Sequence, residues 1–152
     1  MAKRISDLAD LPASPGAYAL IVRLAAPLNL ARRRWRGARL APGLYVYCGS
    51  AQGPGGIGAR LRRHARRNKP RHWHVDELTE AATILASGAF IGGSECEIMD
   101  TLAALKGVGI PIEGFGSSDC AHCAAHLALL PGGIGPERLL RRLRPDAIWL
   151  AQ

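Results

Sequence analysis

Two apolar, β-branched runs in the first third of the chain, each preceded by a proline–glycine pair, constrain its fold most. Residues 17–24 read A-Y-A-L-I-V-R-L and follow Pro15-Gly16, while residues 44–48 read L-Y-V-Y-C and follow Pro42-Gly43. Runs of this length, rich in branched and aromatic residues and bounded by turn-forming pairs, are typical of β-strands. The sequence therefore predicts two strands, each entered from a turn.

A glycine-rich loop and an amphipathic helix are predicted after the second strand. Residues 49–56 are rich in glycine, and in the next stretch Ile57, Leu61 and Ala65 recur at the i, i+4 spacing of one helical face. We expect this helix to extend from Ile57 to about Asn68, because Pro70 stops it. The other predicted elements are a basic hairpin at Leu28–Leu40 with its turn near Gly37, a short helix at His72–Leu78, a strand at Ala82–Phe90, a helix at Glu95–Lys106, a helix at Pro136–Leu143 and a short strand at Ala147–Leu150.

The order strand, strand, helix, strand, helix predicts a single α/β (α+β) domain. We expect a small, mainly antiparallel three-stranded central sheet flanked by helices. A chain of 152 residues fits one compact domain. Its core is expected at residues 15–130, with a C-terminal helix and strand extension at residues 134–152. No apolar stretch is long enough for a membrane span or a secretory signal, so we expect a soluble, cytoplasmic protein with no membrane partner.

Charge is distributed very unevenly along the chain. Between Leu11 and Val75 there are 13 Lys or Arg residues and no Asp or Glu, and the whole chain has a net charge of +8. Such a segment repels itself unless a polyanion lies beside it, which favours a nucleic-acid partner over a basic face that only aids solubility. The candidate nucleic-acid-binding residues are Arg32, Arg33, Arg34, Arg36, Arg62, Arg63, Arg66 and Arg67.

The four cysteines indicate either metal ligation or plain burial. Cys120 and Cys123 form a Cys-x2-Cys pair, and His126 follows three residues later, so one loop offers up to three metal ligands. Cys96, or a histidine of the segment 72–74, could complete a tetrahedral site for a structural zinc ion. The alternative, buried thiols with a hydrogen-bonded histidine, is the commoner outcome of such a pattern, and a reducing compartment argues against disulfides.

Several short motifs, taken in order along the chain, resemble one nuclease superfamily. Gly16-Ala17-Tyr18 begins the first predicted strand, Tyr47-Cys48-Gly49-Ser50 ends the second, and Arg60-Leu61-Arg62-Arg63-His64 lies in the following helix. This set resembles the GIY-YIG nuclease superfamily and is most similar to an uncharacterised, DUF123-like subgroup sometimes fused to endonuclease-III-like glycosylases. Further matches to that subgroup are Trp73-His74-Val75-Asp76, Glu95-Cys96, Gly114-Phe115-Gly116-Ser117-Ser118-Asp119-Cys120 and His126-Leu127.

The resemblance implies catalytic roles for four residues. Tyr18 would act as the general base or orient the attacking water, and Tyr47 would hold the water or the phosphate by a hydrogen bond. Arg60 would neutralise charge on the scissile phosphate, and His64, one helical turn later, would face the same way. Taken singly, each of the four fits a core or solvated surface position, but the ordered set favours the functional interpretation.

The resemblance also implies one divalent ion, Mg²⁺ or Mn²⁺, bound by a carboxylate. Glu95 matches the Glu-Cys pair of the subgroup and begins a predicted helix, while Asp100 and Glu97 are the alternatives. Successive helical positions turn by about 100°, so Glu95 and Glu97 cannot easily face the same site.

These observations predict a metal-dependent DNA endonuclease, or a nuclease-like DNA-processing protein acting in DNA repair at the nucleoid, that hydrolyses phosphodiesters. DNA is favoured over RNA as the partner. The alternative is a non-catalytic nucleic-acid-binding module that keeps the nuclease scaffold. A small-molecule enzyme using the glycine loop is a third possibility, although no Lys lies between Gly49 and Arg60 to complete a phosphate-binding P-loop.

Overall fold

The fold was established from a computed structural model of the 152-residue chain. The structure describes residues 2–31, 33–117, 120 and 122–152, and of Arg33 it describes the backbone alone. Arg32, Ser118 and Asp119, which belong to the predicted basic hairpin and to a predicted motif, therefore lie outside the described residues. Within the described ranges, no helix is long and apolar enough to cross a membrane.

The main sheet of the described chain has six strands rather than the predicted three. They are β1 (Lys3–Ile5), β2 (Gly16–Leu24), β5 (Gly43–Ala51), β6 (Thr83–Ile91), β7 (Leu127–Leu129) and β8 (Ala147–Leu150), in the spatial order β1-β8-β6-β2-β5-β7. β1 pairs with β8 in parallel, and the other neighbours are antiparallel. The predicted three-stranded sheet is wrong because three short strands join its edges, whereas the α+β class is confirmed.

Helices cover both faces of this sheet. They are α1 (Gly56–Ala65), α2 (Asp76–Ala81), α3 (Glu95–Ala103) and α4 (Pro136–Leu143). Side chains alternate between the two faces of a strand, so one set of β2 residues (Tyr18, Leu20 and Val22) shares a core with α1 and α2. The intervening set (Ala17, Ala19 and Ile21) packs with α3 and α4. The sheet therefore separates two hydrophobic cores.

Helix boundaries differ from the predicted ones at residues that break helical geometry. α1 ends at Ala65 rather than near Asn68, because Arg66 is extended and Asn68 has a left-handed backbone (φ 57°). α2 begins at Asp76, later than predicted, because the Asp76 carboxylate accepts hydrogen bonds from the backbone N–H groups of His72 (2.7 Å) and Trp73 (2.9 Å). The segment before α2 is thus folded onto the end of that helix.

The predicted basic hairpin is present as a separate two-stranded ladder. β3 (Leu28–Asn29) pairs with β4 (Arg39–Leu40), and a 3₁₀ turn, Arg33–Trp35, lies between them. Trp35 is buried and contacts Phe115 (ring centroids 5.1 Å apart) and His74 (4.2 Å, edge-on). Trp35 therefore fixes the hairpin against the loop that precedes β7.

Candidate functional site

Tyr18 and Tyr47 lie on the same face of the sheet, on neighbouring strands. In the β2–β5 ladder Tyr18 is opposite Gly49 and Leu20 is opposite Tyr47, which brings the two tyrosine ring centroids to 6.3 Å. A side chain at position 49 would overlap the Tyr18 ring, because a Cβ there would meet its Cζ and Oη atoms. Glycine at this position of β5 therefore makes room for the Tyr18 ring.

His64 of α1 is hydrogen-bonded to Tyr18 in the buried layer between the helix and the sheet. The Tyr18 Oη and His64 Nε2 atoms are 2.6 Å apart, and His64 is 1% exposed. Burial lowers the pKa of His64 to about 3, so the imidazole is neutral near pH 7. Its Nδ1 has no partner among the described residues. A buried N–H without a partner costs more than an unused lone pair, so we assign the proton to Nε2, which then donates to the Tyr18 oxygen.

Both tyrosines are protonated in the free protein. Burial raises the pKa of Tyr18 well above its usual value and raises that of Tyr47 to about 12, while the nearby Arg60 charge opposes both shifts. Neither phenol is a base at neutral pH in this state. A base role for Tyr18 therefore requires additional positive charge beside its oxygen when substrate is bound.

Arg60 is fixed by a stack of charged and aromatic groups. The Arg60 and Arg63 guanidinium carbons lie 4.2 and 4.1 Å from the Trp73 ring centre, so the indole contacts both cations. Arg63 in turn binds the buried Asp76 carboxylate through two hydrogen bonds of 2.9 and 3.0 Å. These hydrogen bonds outweigh the effect of burial and lower the pKa of Asp76 to about 2.

A cavity of about 240 Å³ joins these groups. Glu95, which is half-buried at the start of α3, lines this cavity, whereas Glu97 and Asp100 do not. Glu97 is exposed and lines a different depression, and Asp100 is exposed beside His122, with 3.4 Å between Oδ2 and Nε2. The residues lining the cavity are Tyr18, Tyr47, Gly49, Ser50, Arg60, Trp73, Glu95, Gly116, Cys120 and His126.

Four metal-binding side chains form one cluster at the edge of the same cavity. The ligand atoms of Cys96, Cys120, Cys123 and His126 all lie within 4.8 Å of one another, so the cluster could hold a metal such as zinc. The Cys96 and Cys120 sulfurs are 3.2 Å apart. A backbone hydrogen bond from Cys123, together with a hydrogen bond from Cys96, lowers the pKa of Cys120 to about 6. Cys48 is not a member of this cluster and is fully buried.

The predicted nucleic-acid-binding arginines separate into two groups. Three of them are bonded within the protein: Arg62 to the Leu8 carbonyl, Arg63 to Asp76 and Arg67 to the Glu80 carbonyl, at 2.8 to 3.1 Å. The others with described side chains, Arg34, Arg36 and Arg66, are exposed. Arg32 and the Arg33 side chain lie outside the described residues.

Trp73 and Asp76 are the site residues whose roles the sequence did not reveal, although their motif was recognised. One signal was available. Asp76 is the first acidic residue after the segment between Leu11 and Val75, which contains no Asp or Glu. It is therefore the nearest counter-charge in the chain for the arginines of α1.

The family comparison matches residues 17–144 to a family described as a domain of unknown function, DUF123. No curated protein and no solved structure matches the chain.

Proposed function

The chain belongs to the DUF123 family, and from the geometry of its cavity we propose that it hydrolyses phosphodiester bonds in nucleic acid. The observation that carries the proposal is the convergence of Tyr18, Tyr47, Arg60 and Glu95 on one cavity, with His64 bonded to the first tyrosine. These residues come from β2, β5, α1 and α3, so only the folded chain assembles them. The resemblance to GIY-YIG nucleases favours DNA over RNA.

Arg60 is the group that meets the phosphate. Its guanidinium carries a permanent charge and forked donors that match phosphate oxygens, and it lines the cavity while stacking on Trp73. A cation held before the substrate arrives needs no reorganisation as charge develops on the phosphorus oxygens. Arg60 therefore stabilises the transition state of phosphodiester hydrolysis.

Tyr18 and His64 supply the proton-transfer pair. With the proton of His64 on Nε2, the Tyr18 oxygen accepts one hydrogen bond, and its own hydroxyl hydrogen is left to donate to a group in the cavity that Tyr18 lines. The same His64 donor stabilises a tyrosinate, and Arg60 lowers the tyrosine pKa. Once additional positive charge at the site has released the Tyr18 hydroxyl proton to solvent, the tyrosinate accepts a proton of the attacking water, while Tyr47 donates a hydrogen bond to the phosphate.

Glu95 fits the single divalent ion, Mg²⁺ or Mn²⁺, that the resemblance implies. Mg²⁺ in phosphoryl-transfer sites is commonly bound by one or two carboxylates together with substrate phosphates and water. The Glu95 carboxylate forms no ion pair within the described ranges, and the Ser50 hydroxyl lines the same cavity. When bound, the ion supplies Lewis-acid stabilisation of the leaving oxygen. Glu97 and Asp100 do not line the cavity and are poorer candidates.

A cleavage panel tests the proposal. Plasmid, single-stranded and branched DNA, with RNA of the same sequence, are incubated with protein and Mg²⁺ or Mn²⁺. Tyr18→Phe, Arg60→Ala and Glu95→Gln should each abolish cutting. The matched controls keep the residue type but lie outside the cavity: Tyr45→Phe, Arg62→Ala and Glu97→Gln should retain it. Cutting that survives all three cavity substitutions refutes the assignment.

A non-catalytic nucleic-acid-binding module is the second candidate, and the raised pKa of both cavity tyrosines favours it. In that case the protein binds DNA with salt-sensitive affinity, yet no substrate of the panel is cut with either ion. Under both candidates the partner is DNA. We propose that it is the nucleoid DNA of the cytoplasm and that the protein binds it during repair.

A further inference from the structure

Three cysteines and one histidine, drawn from two separate parts of the chain, meet beside the cavity. Cys96 lies in the first turn of α3, and the other three, Cys120, Cys123 and His126, come from the segment before β7. We infer that this Cys3His cluster binds one zinc ion, and that the ion fixes the cavity wall next to Tyr47.

The spacing of the ligand atoms fits a tetrahedral zinc ion. Zn–S and Zn–N bonds of about 2.3 and 2.0 Å give edges of about 3.5–3.8 Å between ligand atoms in a tetrahedron. The Cys96 Sγ to His126 Nε2 distance is 3.7 Å and the Cys96 to Cys120 Sγ distance is 3.2 Å. All four ligand atoms lie within 4.8 Å of one another, so small shifts close the site.

The hydrogen bonds around the cluster are those of a metal site. His126 Nδ1–H donates to the Gly116 carbonyl at 3.0 Å, which leaves the Nε2 lone pair facing Cys96. Such a second hydrogen bond orients most zinc-binding histidines in proteins. The Cys123 backbone N–H donates to Cys120 Sγ at 3.3 Å, which favours a thiolate. Zinc would displace the thiol protons into solvent, so three thiolates and a neutral imidazole surround the ion.

Plain burial does not explain why these cysteines are grouped. Cys48, the fourth cysteine, is fully buried in the core between the sheet and α3, as expected of a structural thiol. Cys96, Cys120 and Cys123 are each only half-buried, so burial in the core does not account for their convergence. A Cys96–Cys120 disulfide would use two of the four groups and leave Cys123 and His126 without a shared partner.

The cluster is connected to the cavity through Gly116. Cys120 and His126 line the cavity, and His126 holds the Gly116 carbonyl. Gly116 has a left-handed backbone (φ 74°) and lies so close to the Tyr47 ring that an added Cβ would be 2.8 Å from a ring carbon. Between α3 and β7 the described residues form no helix or strand. A zinc ion would therefore tie this part of the wall to α3 through its ligands, where no helix or strand does so.

Metal content tests the inference without any substrate. The full chain, purified with a reductant, should carry one equivalent of zinc, and cobalt substitution should give thiolate charge-transfer absorption with tetrahedral d–d bands. Cys123→Ser and His126→Ala remove direct ligands and should weaken zinc affinity by at least about 100-fold, the upper end of the cost of losing an outer-shell partner. The controls Cys48→Ala and His122→Ala, which change the same residue types outside the cluster, should keep the zinc.

A ligand exchange separates loss of zinc from loss of folding. His126→Cys still offers four ligands, so it should retain zinc where His126→Ala does not. On chelation of the wild type, amides of residues 113–117 and 122–126 should exchange with solvent faster, whereas those of α4 should not. No zinc and no cobalt spectrum, or two thiols lost to a disulfide, overturns the inference, as does full zinc retention in every ligand variant.

The metal measurement is independent of cleavage. Zinc binding without cutting refutes the proposed function alone, and cutting by a zinc-free protein refutes only the zinc inference.

Discussion

Acidification from pH 7 to pH 5 should destabilise this protein through His64. Burial lowers the pKa of His64 from 6.5 to about 3, and the charges of Lys69, Arg63 and Arg60 lower it further against the opposing effect of Asp76. The folded protein thus resists a proton that the unfolded chain accepts readily. The contribution of neutral His64 to the free energy of unfolding is complete above pH 6.5 and is lost progressively as the pH falls towards 3.

The expected loss follows from the size of this pKa difference. Each pH unit between the two pKa values removes about 1.4 kcal/mol, because one pKa unit corresponds to that free energy. Between pH 7 and pH 5 the free energy of unfolding should fall by about 2 kcal/mol through His64 alone. Asp and Glu side chains in model peptides have pKa values of about 4, which is below this range.

Urea unfolding of the wild type and of His64→Gln at pH 7, 6 and 5 measures the effect. The glutamine side chain can still donate to Tyr18 but does not titrate, so the variant should lose the His64 part of the pH dependence. Other histidines and the zinc-cluster residues are common to both proteins, and their contributions cancel in the difference. Equal pH dependence in the two proteins would refute a neutral, buried His64.

Three further outcomes are expected. Asp76→Asn should lower the free energy of unfolding by about 3–5 kcal/mol in urea titrations at pH 7, because it removes one partner of a buried ion pair. The Asp76 carboxyl has a pKa of about 2, so the difference between wild type and variant should persist down to about pH 4. Gly49→Ala should destabilise by about 1–3 kcal/mol through overlap with a tyrosine ring, whereas Gly53→Ala, where a Cβ meets nothing closer than 3.8 Å, should be nearly neutral. If DNA binds, Arg66→Ala should reduce the salt dependence of log Kd by about one unit of slope, and Arg62→Ala, already bonded to a carbonyl, should leave that slope unchanged.

The long strands and the first residues of most helices were accessible from the sequence, but the extent of the sheet was not. β2, β5 and β6 each have nine residues, which is enough for turn signals and β-branched composition to mark them. β1 and β7 have three residues each. β1 pairs with β8 and β7 pairs with β5, and in both pairs the partner strand is distant in the sequence. Non-local pairing of this kind leaves no periodicity to detect.

The cavity residues could be predicted where ordered motifs identified them. Which arginines are bonded within the protein could not be predicted, because that depends on the partners that the fold brings to each guanidinium group. The motif order brought Tyr18, Tyr47 and Arg60 into one hypothesis, and all three line one cavity. The sequence could not distinguish Arg63, which binds a buried carboxylate, from Arg66, which is exposed three residues later. Helical spacing indicates direction around α1, but it does not reveal which acids or carbonyls the fold brings there.

Acids outside the segment between Leu11 and Val75 neutralise only part of its positive charge, and the remainder bears on the proposed DNA contact. Acids immediately after the segment pair with part of it, since Asp76 binds Arg63 and Glu80 lies 3.6 Å from the Lys69 ammonium. These cations need no polyanion. The exposed arginines of the 28–40 hairpin have no such acidic partner in the part of the chain that the structure describes. Trp35 packs on Phe115 and so holds the hairpin one residue from the cavity wall at Gly116. A nucleic acid whose phosphate reaches Arg60 would therefore pass beside the hairpin, where the exposed side chains of Arg34 and Arg36 form no ion pair among the described residues.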